Sequence, residues 1–208
     1  MKFNKIFYWL FLVAVCLLIP LNQGYAQKWY RVVTYQVSFP VGDTKDFTGS
    51  TSFLGFGLDF RYTVQKSTTV GLALGWNIFS ERKSETIELG SNNPGAVSGT
   101  QDRYLNSFPI MANVHYYFGK KRGIRPYVGL NAGGFYMLQR FDIGVVSLQK
   151  DRWEWGIAPE AGVIIPIERN LAIMISGKYN YAFTGKSPLD TDIKHSYVGL
   201  VIGFVWQE

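Results

Sequence analysis

Eight ionisable residues fall on one face of the segments that carry them: Asp59, Arg61, His115, Arg125, Arg152, Glu154, Glu160 and Lys178, with Asn113 among them. Carboxylates that alternate with cations in this way suit two kinds of chemistry. One is a packed plug of ion pairs and hydrogen bonds, since charges removed from water need partners. The other is a narrow polar path or ligand site. A second group, His195 beside Ser196 with Asp190 and Asp192 just upstream, supplies the residue types of a hydrolytic triad. That chemistry needs a nucleophile, a base within hydrogen-bond reach and an orienting acid. Neighbouring residues of a strand point to opposite faces, so His195 and Ser196 do not pair readily. His115 has Asn113 close by but no serine. No catalytic residue is assigned, and an enzyme is not expected. With 2 His and 1 Cys in the whole sequence, a transition-metal site is not expected either. The acidic loop residues match no calcium-loop spacing, and no cofactor is implied.

The elements that must position these residues are strands. Eight alternating stretches occupy about Tyr30–Phe39, Thr51–Val64, Thr68–Phe79, Tyr104–Phe118, Arg125–Phe141, Arg152–Pro166, Leu171–Phe183 and Lys194–Trp206. Three spacers are short: Gln65–Ser67, Gly119–Ile124 and Ile167–Asn170. They alternate with four longer polar ones, Val41–Ser50, Ser80–Arg103, Asp142–Asp151 and Thr184–Ile193. This pattern predicts an all-β, eight-stranded antiparallel up-and-down transmembrane β-barrel, with long loops at one end and short turns at the other. The alternating flank Glu81–Leu89 is a candidate to extend one hairpin beyond the membrane. Residues Gly90–Gly99 mark its tip.

Alternation alone does not distinguish a membrane barrel from a soluble one with exchanged faces. Two features favour the membrane. The polar face is mostly Gly, Ala, Asn and Ser, whereas a solvated face should be dense in charge. The interior of eight strands is just wide enough for side chains to fill. Aromatics on the oily face also collect at two levels. Trp76, Tyr136, Trp153, Trp155, Tyr179 and Tyr181 lie towards the long loops, and Tyr62, Tyr116, Phe118, Phe204 and Trp206 towards the short turns, as two headgroup girdles would. The last strand places Val198, Leu200, Ile202, Phe204 and Trp206 on one face, with Tyr197, Gly199, Val201, Gly203 and Val205 on the other. Its Tyr197, Gly199, Ile202, Phe204 and Trp206 resemble the terminal signal by which outer-membrane barrels are recognised for assembly. Sliding a strand by one residue would turn Arg61 or Lys178 to lipid, at about 2–4 kcal/mol each near the midplane.

Residues 1–26 have the plan of a cleaved secretory signal. Lys2 and Lys5 precede the apolar run Ile6–Leu21, and Gly24-Tyr25-Ala26 supplies small residues before Gln27. The barrel would then occupy 27–208, and Cys16 would leave with the leader. Charged residues make up only 17% of the chain and aromatics 16%. The net charge of +6 is spread over turns and loops, with no dense tract to suggest nucleic acid.

Tyr104-Leu105-Asn106-Ser107-Phe108-Pro109-Ile110 with Tyr116-Tyr117-Phe118, followed by Arg125-Pro126-Tyr127-Val128-Gly129-Leu130-Asn131-Ala132-Gly133-Gly134, resembles the porin-family outer-membrane β-barrel domain of the Bacteroidetes type. The resemblance covers essentially the whole mature chain, although Phe108 stands where that family usually has Ile. It implies an integral outer-membrane protein of a Gram-negative envelope, with both termini periplasmic and long loops extracellular. Expected partners are outer-membrane lipids, the barrel-assembly machinery and an unidentified envelope protein. The leading functional expectation is a closed, side-chain-filled barrel acting structurally or through its loops. The alternatives are a narrow pore or route for small or hydrophobic solutes, and an accessory subunit of a secretion or motility complex.

Overall fold

The computed structural model describes residues 29–88, 96–120, 123–143, 146–183 and 195–207. The leader 1–26 and the hairpin tip at 90–95 lie outside them. Eight strands follow one another: β1 (Trp29–Val41), β2 (Ser52–Gln65), β3 (Thr68–Glu88), β4 (Ala96–Tyr117), β5 (Arg125–Ile143), β6 (Val146–Pro166), β7 (Leu171–Phe183) and β8 (Ser196–Gln207). Each pairs antiparallel with the next, and β1 closes on β8 from Tyr30↔Gln207 to Val41↔Ser196. Closure leaves no free edge within the barrel wall. The start of β1 and the end of β8 therefore share the short-turn end.

The expected faces are present. Leu54, Phe56, Leu72, Ile110, Val114, Val128, Leu130, Ile175, Leu200, Ile202 and Phe204 point outward and are exposed. On the same strands Asp59, Arg61, Asn113, His115, Ser176 and Val201 are buried inside. This is the reverse of a soluble protein, and it follows from period-two alternation with the apolar set turned out.

Two of the four expected long loops are not loops. The β3–β4 ladder continues to Glu88↔Ala96, and the β5–β6 ladder to Ile143↔Val146. Within the first, Glu81 sits opposite Arg103 and Arg82 opposite Asp102. Opposite charges directly across a ladder favour pairing, so strand continues through a stretch whose polarity suggests a spacer. Strands β3 to β6 therefore rise as a four-stranded wall, whereas β7, β8, β1 and β2 stop lower. The β1–β2 connection adds one helical turn, α1 (Asp43–Phe47), entered through Gly42 at φ +56°. Thr44 is buried there, and its hydroxyl accepts the Ser196 N–H at 2.8 Å, so α1 seats against the start of β8.

The ladder lapses at two prolines. Between β3 and β4 it skips from Leu74↔Ile110 to Asn77↔Ser107, across Pro109. Between β6 and β7 it skips from Ile157↔Tyr181 to Glu160↔Lys178, across Pro159. Proline has no N–H to donate to a ladder. Stacked Trp76 and Phe108 rings, 5.6 Å apart, cover the first lapse from outside. Beside the second lapse, Gly177, paired with Ala161, puts no side chain on the outer face, and a Cβ there would meet nothing within 4 Å.

Candidate functional site: the lumen and its two ends

Glu160 is the centre of the lumen. It accepts hydrogen bonds from Tyr127 Oη at 2.5 Å and Ser176 Oγ at 3.1 Å, and Asn131 Nδ2 lies 3.4 Å away. Lys178 Nζ stands 3.2 Å from its Oε2, and Arg61 lies 3.8 Å from Oε1. His115 Nε2 is 3.7 Å from Oε2, too far for a hydrogen bond. The second carboxylate, Asp59, takes Arg61 through Nε at 2.7 Å and through a second nitrogen at 2.5 Å, with Asn113 Nδ2 on its other oxygen at 2.9 Å. Arg61 is 1% exposed, and its remaining arm donates to Tyr117 Oη at 2.9 Å. A two-point carboxylate clamp with further donors is the geometry that a buried guanidinium requires.

Glycine makes room for this layer. Gly129 faces the His115 ring so closely that a Cβ would stand 2.2 Å from Cδ2, and one on Gly71 would stand 2.9 Å from Asn113 Oδ1. Glycine is the residue that permits such approach.

Apolar packing lies on both sides of the charges. Towards the short turns Tyr30, Val32, Tyr117, Tyr127, Ile164, Ala172, Met174, Val201 and Val205 form one cluster. Towards the long loops Phe79, Leu105, Met111, Phe135, Met137, Ala158, Ala182 and Tyr197 form another. Between them Gln36, Ser38, Asn77 and Tyr197 link in sequence at 2.8–3.3 Å. A void of about 40 Å³, lined by Gln36, Asp59, Arg61, Asn77, Lys178 and Asn180, separates this chain from the charged layer. It has room for a water or two.

The expected lumen set divides. Asp59, Arg61, Asn113, His115, Glu160 and Lys178 meet. Arg125 meets no carboxylate among the described contacts: it bonds Tyr30 Oη at 3.1 Å and lies over the Tyr117 ring at 4.7 Å. Glu154 is elsewhere, beyond the second apolar cluster, with Arg152 Nε 2.6 Å from its Oε1. There Arg152 and Gln139 each lie 3.0 Å from His195 Nε2. His195 is thus a residue of the long-loop mouth, on β6 and β5 contacts, while the Ser196 hydroxyl donates to the Val41 carbonyl at 2.9 Å. The two do not form a nucleophile–base pair. Among the described residues no group of three or more His, Cys, Asp or Glu could hold a metal.

Tyr127, Tyr117, Tyr30, Ser176 and Asn131 are absent from the expected set although they complete it. Their parity placed them inside, and for a large inward hydroxyl near charges that was the available signal.

The expected girdle residues all lie on the outer face. Towards the long loops, rings of Trp76, Phe108, Tyr136 and Trp153 follow one another across β3 to β6 at 5.4–6.2 Å. Trp155 is 75% exposed, and Tyr179 and Tyr181 stack at 6.3 Å. Towards the short turns Tyr62 contacts Trp29, Tyr116 contacts Phe118 and Phe204 contacts Trp206. In β8, Tyr197 and Gly199 face in, while Ile202, Phe204 and Trp206 face out.

This fold is a closed, eight-stranded up-and-down barrel with its apolar face outside, the class of small outer-membrane barrels. The solved structures it resembles belong to that class. Neisserial surface protein A (NspA) matches with a TM-score of 0.56 at 15% identity, over 86% of this chain and 97% of that one. Ail, the attachment invasion locus protein of Yersinia pestis, solved in complex with the heparin analogue sucrose octasulfate, matches at 0.50 and 16% identity, over 88% and 100%. These likenesses carry the fold. No family model matches the chain, and no curated protein matches it.

Proposed function

We propose that the chain is a non-enzymatic integral outer-membrane barrel with a closed lumen, working through the surface it presents at its long-loop end. The packed lumen carries this reading: among the described residues a carboxylate–cation layer held between two apolar clusters leaves a void of about 40 Å³. Short turns would face the periplasm and the β3–β6 wall the exterior. The outward apolar band and the two aromatic levels support residence in a bilayer. The motif resemblance noted above would place it with the Bacteroidetes-type porin family, and Tyr197 to Trp206 would be read by the barrel-assembly machinery. Rigid scaffolds that raise exposed connections are where contacts with partners are made. Reconstitution of purified protein in planar bilayers tests the closed lumen. No stable open currents are expected, and discrete conductance steps would overturn it.

A second reading rests on the lapse at Pro159. There the wall lacks a ladder bond, Gly177 puts no side chain on its outer face, and Lys178 and Asn180 line the void behind it. Such a seam suits sideways passage of small apolar solutes. Uptake of a small aromatic solute into protein-loaded vesicles, abolished by Pro159→Ala, is its expected signature. Equal uptake by both proteins removes it.

A further inference from the structure

We propose that the short-turn rim is a basic collar that holds the headgroups of anionic phospholipids, an inference resting on the bilayer reading above. The two ends of the barrel differ in charge. Among the described residues the short-turn end carries Arg31, Lys66, Lys120, Arg125 and Arg169 against the single acid Glu168. The described segments of the other end carry nine Asp or Glu against seven Lys or Arg.

The placement of the cations points to a lipid surface. Arg31 is on the outer face of β1, paired in register with Phe60 on one side and Trp206 on the other, so its guanidinium belongs to the level of the lower girdle. Lys66, Lys120 and Arg169 are exposed in the three turns that end this face. Two of those turns also expose large apolar side chains: Ile124 is 64% exposed and Ile167 52%. Arg169 lies two residues from Ile167 and Lys120 four from Ile124, and exposed cations and isoleucines sharing a rim with Trp, Tyr and Phe suit the boundary between acyl chains and phosphates. Long basic side chains reach from such a boundary to headgroup phosphates, and anionic leaflets attract basic segments over about a Debye length.

Purified protein reconstituted into vesicles of phosphatidylcholine with roughly a third phosphatidylglycerol should, on gentle extraction, retain phosphatidylglycerol several-fold over its bulk share. The enrichment should fall as salt rises. The triple variant Lys66→Gln/Lys120→Gln/Arg169→Gln should bring the retained lipid to bulk composition while still floating with the vesicles. Glu81→Gln/Asp151→Asn, at the other end, should leave the enrichment intact. Bulk composition around the native protein would overturn the collar. So would enrichment that survives in the triple variant, or capture of peptidoglycan fragments in place of lipid. Failure of the native protein to float with either mixed or pure phosphatidylcholine vesicles would overturn the bilayer reading itself, which separates the two.

Discussion

The middle of the barrel and its long-loop mouth each set a carboxylate of β6 against an arginine, and they do so in different company. Glu160 has six polar neighbours from four other strands, with Arg61 and Lys178 both present. Glu154 is buried as well, but its described partners are Arg152 at 2.6 Å, whose side chain is 19% exposed, and His195 at 4.0 Å. A charge sealed from water requires every one of its partners. Where a buried carboxylate has few partners, its loss strands fewer of them. The same residue pair is thus a structural centre in one place and a local clasp in the other.

The sharpest way to break this contrast is Glu160→Ala. It strands Lys178 and the free side of Arg61, and should cost about 3–5 kcal/mol, read from urea unfolding in lipid vesicles. A cost near that of a rim mutation would mean the middle layer is wet. Next is Gly129→Ala, which drives a methyl into the His115 ring and should cost about 1–3 kcal/mol. Adding His115→Ala should recover part of it, and an absence of recovery would disprove the contact. Tyr197→Phe removes one hydroxyl shared between Asn77 and Ser107 at 3.3 and 3.4 Å. About 1 kcal/mol is expected. The mouth gives a comparable or smaller effect: Glu154→Gln keeps the shape and a hydrogen-bonding end beside Arg152, and should change stability by about 1 kcal/mol, read as a small shift of the melting curve in detergent.

Much of this architecture could be read along the chain. Alternation in Phe56 to Val64 or Ile110 to Phe118 gives faces, and the alternating spacer lengths give direction. The composition of the site was legible, but its grouping was not. Glu154 and Glu160 share a face and look like members of one network. Six strand residues nevertheless separate them by roughly 20 Å, enough for an entire apolar layer. The role of Tyr127 was hidden for another reason: in the Arg125-Pro126-Tyr127 motif it reads as a family signature, and only the β5–β6 register, with Gly129↔Glu160, sets its hydroxyl diagonally against Glu160. The β3 side of the wall was legible in the alternating flank Glu81–Leu89, which runs as strand to Glu88, but the β5–β6 extension was hidden because polar composition signals a loop. Charges alternating in sign across a hairpin hold strand together just as well, and which residues lie opposite depends on register rather than composition.

The lopsided height of the rim has a consequence for anything arriving from the long-loop side. With β3 to β6 standing tall and β1 and β2 ending lower, the described part of the lip is a parapet on one side. A large visitor descending along the cylinder axis would touch the parapet first and be tipped towards the low side, where α1 sits. On the surface role proposed above, contact would therefore begin on the β3–β6 side, oblique and with a fixed azimuth about the membrane normal.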